Sequence, residues 1–249
     1  MTWSNKRLPW RLMPLAALCV SGVCARAEVP TADAVARANT SFAIDLYHQL
    51  ASTPGNLFFS PYSLSNLLVM AYVGARGSTA AEMAAVLHLD QPPEQAAAGF
   101  KRLRDELDRN AITGVRLDTA NSLWIAHESP LSDQYREVIQ SQLGADARQV
   151  DFARHAAAAR AAINSWVEAK TYLRLKELIG PGVLDARTRM VLCNAIYFKG
   201  RWAGPFDPAQ TRPAPFLLPD AARVEVPTMH GTSKLRTLMT DGVRLLALP

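Results

Sequence analysis

The run "RMVLCNAIYFKGRW" at residues 189–202 constrains the fold more than any other stretch. From Met190 to Phe198 nearly every position is apolar, the pattern of a strand covered on both faces rather than one with alternating polarity. Such a strand requires a layer of other elements on each side. Asn194 breaks the run between Cys193 and Ala195. A buried amide without partners costs about 1–3 kcal/mol, so a polar group from elsewhere in the chain is expected to satisfy it.

Helical patterns supply the covering layers. Phe42, Leu46 and Leu50 recur at i, i+4, i+8 and predict a helix from Thr31 to Ser52. After a turn at "TPGN" and a short extended "LFF", Ser60 as N-cap and Pro61 at the first helical position open a second helix, with Gly74 and Gly77 at its end. The next helix is expected to start on a Ser78 or Thr79 cap, with Glu82 completing a capping box. "FKRLRDELDRN" is a charged helix with a solvated face, and 115–126 reads as a strand. A helix closed by Gly144 and a short strand "ARQVDF" follow. "ARAAINSWVEAKTYLRLKELI" then predicts a long amphipathic helix with Ile163, Trp166, Val167 and Lys170 on one side. Short extended pieces fill the rest, ending in a hairpin around Asp241-Gly242. With no repeat and no low-complexity linker, the chain is one α+β domain.

Charge argues against a nucleic-acid partner. The formal charge of +5 comes from 27 basic and 22 acidic residues, but residues 1–27 hold Lys6, Arg7, Arg11 and Arg26 and no acid. Outside them the balance is nearly even. Those residues, followed by "LMPLAALCVSGVCA" and Ala25-Arg26-Ala27, predict a secretory signal peptide over 1–27 and a domain over 28–249, with a secreted or periplasmic location. A lipid anchor at Cys19 or Cys24 is the alternative, but Leu18 and Val23 stand where a small residue is expected. Cleavage after Ala27 leaves Cys193 as the one cysteine, so no intrachain disulfide is expected.

As an enzyme the chain is quiet. It has no G-x-S-x-G, and "GARGST" at 74–79 lacks the spacing and lysine of a phosphate loop. The five histidines, at 48, 88, 127, 155 and 230, show no metal-ligand spacing, so neither a metal nor a cofactor is expected. Cys193 reads as a small buried hydrophobe, and Glu128, Asp133 and Glu137 as charges complementing a helix N-terminus.

In order, the segments resemble the serpin family. "NLFFSPYSLSNLLVMAYVGARGSTAAEM" is similar to the family's N-I-F-x-S-P-x-S-I…G-A-x-G-x-T segment, and residues 117–152 resemble strand 2A, helix E and strand 1A. "AAINSWVEAKT" resembles helix F, "RMVLCNAIYFKGRWAGPFDPAQT" the strand 3A segment, "VEVPTMH" the V-x-V-P-x-M pattern, and "LLALP" the L-x-L-P of sheet B. The resemblance implies an incomplete serpin fold: helices A–F, strands 1A, 2A and 3A, and the beginnings of sheets B and C.

Serpins inhibit proteases as suicide substrates: the protease cleaves a reactive-centre loop, which inserts into sheet A and distorts the still-attached enzyme. The family's shutter residues fall on Ser60, Ser63 and Asn194, and its breach tryptophan on Trp202. The resemblance therefore implies that a Ser60 or Ser63 hydroxyl satisfies Asn194. It implies a serine or cysteine protease as partner of the full-length form, no nucleic-acid or membrane partner, and a monomer. Two departures stand out. Leu173 replaces the glycine of the family's T-x-G-x-I after helix F, predicting a helical turn there. The reactive-centre loop, strands 5A and 6A and the shutter histidine have no counterpart up to Pro249, so the 249 residues themselves are expected not to inhibit. The alternatives are a non-inhibitory binding or structural relative, or the product of a degraded gene.

Overall fold

The computed structural model describes residues 28–109, 114–218, 221–232 and 236–247. The predicted signal peptide lies outside them. Four helices come first: α1 (Ala32–Leu50), α2 (Pro61–Gly74), α3 (Gly77–Val86) and α4 (Pro93–Arg109). Thr31 caps α1 by accepting from the Ala34 N–H, and Ser60 caps α2 by accepting from the Ser63 N–H at 3.3 Å. The expected capping box of α3 does not form. Gly77, at φ +60, is already its first residue and Arg76 its cap, so Ser78 and Thr79 fall inside the first turn.

A three-stranded sheet follows in the order β2-β1-β3, built from β1 (Val115–Ala126), β2 (Ala145–Val150) and β3 (Met190–Gly200). β1 pairs in parallel with β2 and antiparallel with β3. The helix α5 (Asp133–Leu143) joins β1 to β2 and ends on Gly144 at φ +62, the left-handed conformation that glycine takes without a steric penalty.

Both faces of the middle of this sheet are covered, whereas Met190 and Phe198, near the two ends of β3, are exposed, so the apolar run is buried only around Cys193 and Ala195. On one face Leu123, Leu192 and Ala145 pack with Val69, Met70, Phe100 and Ile139 of α2, α4 and α5. On the other, Trp124, Cys193 and Ala195 lie under Phe152, Ile163, Trp166 and Val167 of α6 (Phe152–Lys170). Asp151 caps α6 by accepting from the Arg154 N–H, and the helix kinks at His155.

α6 stops nine residues before the end of the pattern that predicted it. Its end is a Schellman turn in which Tyr172 N–H donates to Ala169 C=O and Leu173 N–H to Glu168 C=O. Tyr172 and Leu173 both take left-handed φ, +52 and +62, so the turn at Leu173 is not helical as the missing glycine suggested. The connector then folds back on α6, where Asn164 receives the Leu178 and Ile179 N–H groups and donates to Ile179 C=O.

Beyond β3, a single 3-10 turn at Pro208–Gln210 precedes two separate hairpins. β4 (Arg212–Leu217) pairs with β5 (Arg223–Thr228), and β6 (Arg236–Thr240) with β7 (Val243–Ala247) around Asp241-Gly242. Among the described residues the outer edges of both hairpins have no strand partner.

Candidate functional site: the polar centre of the sheet

Asn194 lies opposite Asn121 in the β1–β3 register, within the sheet face that carries Leu123 and Leu192 toward α2 and α5. Its Nδ2 donates to Asn121 Oδ1 at 2.8 Å, and Asn121 Nδ2 donates in turn to Leu143 C=O at the end of α5, also at 2.8 Å. The amide in the apolar strand is therefore held by a second amide on the neighbouring strand. The expected bond to Ser60 or Ser63 does not form: the Ser60 hydroxyl is engaged as the cap of α2, and a cross-strand partner lies closer to hand.

Two polar atoms remain unfilled here. Asn194 Oδ1 and Ser63 Oγ are both buried with no hydrogen-bond partner among the described residues, and they sit on β3 and α2, which pack together. Each such vacancy costs about 1–3 kcal/mol, and each can accept a further donor. The rest of the polar interior of α2 is satisfied. Ser65 Oγ donates to Asn39 Oδ1 at 2.7 Å, and Asn66 Nδ2 donates to Tyr62 C=O at 2.7 Å. Burial raises the Tyr62 phenol above its ordinary pKa.

Of the four predicted site residues, Ser60 caps α2, Ser63 lies in its first turn, and Asn194 lies on β3, against which α2 packs. Trp202 lies two residues past the end of β3. It is half exposed, with its ring edge-on to Phe206 at 6.0 Å. The residue missed from the sequence is Asn121. The signal was available, since "TANSLW" places an amide in a strand whose second half is apolar, the same anomaly that singled out Asn194.

The remaining candidates for chemistry have structural explanations. Cys193 is buried under α6, where loss of solvent pushes its thiol up to about 11 against a smaller lowering by Ser122, so it carries no thiolate at neutral pH. His88 pairs with Asp45 and His155 with Asp151, both at the surface. Among the described residues no group of His, Cys, Asp and Glu could hold a metal ion. No helix of the described residues is long and apolar enough to cross a membrane.

Helices cover a sheet in which β1 pairs in parallel with β2 and antiparallel with β3, and the Ser-capped α2 packs on β3, an arrangement that fits the serpin scaffold. The chain belongs to the serpin family: the family model described as Serpin (serine protease inhibitor) matches residues 37–249. An uncharacterized serpin-like protein of Thermococcus kodakarensis is 37% identical over 215 residues, 86% of this chain and 50% of that protein. Leukocyte elastase inhibitor A of Mus musculus is 38% identical over 199 residues, 79% of this chain and 52% of the inhibitor. The solved structure titled Cleaved Serpin 42Da superposes with a TM-score of 0.79 at 32% identity, covering 88% of this chain and 59% of that one. The chain thus spans about half the length of the curated relatives it matches.

Proposed function

We propose that this chain is the N-terminal portion of a secreted or periplasmic inhibitor that traps a serine protease, or a cysteine protease, by accepting its own cleaved loop into the sheet. The observation that carries the reading is the outer edge of β3. Among the described residues this 11-residue strand pairs only with β1, and the chain spans about half the length of its relatives, so the other edge is where further strands of a longer form, or an inserted loop, would pair. On β3 and on α2, which packs against it, Asn194 Oδ1 and Ser63 Oγ have no hydrogen-bond partner among the described residues and can accept a donor. The family's description as serine protease inhibitors and the mouse relative's role as an elastase inhibitor support a serine-type target.

The reading is tested with a longer form that carries a reactive-centre loop. Incubation with trypsin-, chymotrypsin- and papain-like enzymes is expected to give an SDS-stable complex with one of them. Residues 1–249 alone are expected to give none. Cleavage of the longer form without any stable complex would sink the inhibitor reading.

One observation favours a second reading, a non-inhibitory serpin relative that serves as a binding or structural protein. The α6 end, which covers the sheet beside β3, is set by Tyr172 and Leu173 in place of a glycine-bearing turn. A longer form whose loop is cut while the protease turns over freely would support it.

A further inference from the structure

The Schellman turn that ends α6 holds two consecutive side-chain-bearing residues in the conformation that favours glycine, Tyr172 at φ +52 and Leu173 at φ +62. Such strain persists where the surroundings over-determine it. The surroundings of Tyr172 span two strands, β1 and β3. Its hydroxyl donates to Asp118 Oδ2 at 2.7 Å and accepts from Arg116 Nη2. Arg116 Nε itself donates to Asp118 Oδ2 at 2.5 Å, and its guanidinium carbon lies 4.2 Å from the centre of the Tyr172 ring. On the other side the Tyr197 ring stands 4.7 Å away, tilted by 60°. Arg116 and Asp118 belong to β1, Tyr197 belongs to β3, and Asp118 and Tyr197 are register partners.

We propose that Tyr172, gripped by Arg116, Asp118 and Tyr197, is a latch that fastens the end of α6 across the β1–β3 pair and sets how readily that end lifts from the sheet. The apolar packing of α6 does not reach this point. It runs from Phe152 to Val167, and the cluster continues it with an exposed polar contact. An exposed contact of this kind is modest and reversible, which suits a fastening that opens more than a permanent core. The strained backbone is explained in the same terms: only a side chain that reaches both strands justifies tyrosine where the turn prefers glycine. The latch stands on contacts within the described residues and not on the inhibitor reading, so either can fail alone.

Backbone and side chain predict opposite signs for one substitution, which makes the test decisive. Tyr172→Gly relieves the strain but removes the latch. The measurement is amide hydrogen exchange of the 249-residue chain at neutral pH, comparing residues 168–176 with α2 as internal reference. The latch predicts exchange about fivefold faster at 168–176, with α2 unchanged. Unchanged or slower exchange there would overturn it, because the turn would then be only a strained helix cap. If Tyr172→Gly also loosens α2, Tyr172→Phe decides, since it keeps ring and backbone and removes only the hydroxyl. Faster exchange confined to 168–176, matched by faster tryptic cleavage after Lys170 and Arg174, supports the latch; rates equal to those of the parent chain overturn it.

Discussion

The strand β3 and the hairpin β6–β7 are both rich in apolar residues, yet they meet opposite fates. In β3, Cys193 and Ala195 are almost wholly buried between α2 on one side and α6 on the other. In the hairpin, Leu238, Met239, Val243, Leu245 and Leu246 are all more than half exposed. Apolar sequence makes a strand, but only elements that lie across it make a core. β3 has two such layers within the described residues, and the hairpin has none. Even β3 is covered only in its middle, with Met190 and Phe198 exposed, and among the described residues its outer edge has no partner, so its open side resembles the hairpin more than the core.

The contrast can be broken most forcefully by truncating one leucine in each region. Leu123→Ala, in the fully buried part of β1, is expected to cost about 2–5 kcal/mol in chemical denaturation. Leu245→Ala, half exposed on β7, is expected to stay within about 0.5 kcal/mol. Similar losses at the two sites would contradict the contrast.

The next effect sharpens it inside the sheet. Asn121→Ala strands both Asn194 Nδ2 and Leu143 C=O and is expected to cost about 1–3 kcal/mol. Asn194→Ala should cost less, because that side chain makes one bond and carries an oxygen already without a partner. Equilibrium unfolding with the reverse order would mean that the Asn194 oxygen is satisfied after all. Leu173→Gly relieves a left-handed side chain without touching the latch and is expected to raise stability by up to about 1 kcal/mol, read as a higher denaturation midpoint.

The smallest effect at neutral pH concerns Cys193. Burial pushes its folded thiol up to about 11 from its ordinary value of 9.0 and so favours the protonated form. The stability this contributes is complete below pH 9 and is lost as pH rises through 11. Thiol labelling of the folded chain should therefore be negligible at pH 8 and climb toward pH 11. Rapid labelling at pH 8 would show that α6 does not seal the sheet face.

Much of this organisation was legible because it rests on local chemistry. Ser60 and Pro61 mark the start of α2, Gly144 the end of α5, and the unbroken apolar run marks β3. The polar centre was half legible: Asn194 announced a buried amide, but its partner lies 73 positions away, and only strand register brings Asn121 opposite it. The end of α6 was misjudged because helical periodicity continues through Leu175 and Leu178. Tertiary contacts won there, with Asn164 holding the connector back and Tyr172 docking on β1. The latch left no trace in the sequence, since Arg116, Asp118, Tyr172 and Tyr197 share no spacing that a pattern could reveal.

The inhibitor reading rests on one strand edge that stands open among the described residues. Residue-resolved hydrogen exchange of β3 reads it directly. In an antiparallel pair alternate amides of β3 bond to β1 and the others point away. The account predicts two classes along Met190–Gly200, slow amides facing β1 alternating with fast ones facing outward. Uniform protection of both classes would mean that the edge is already occupied, and the account of β3 as a receptive strand would be wrong.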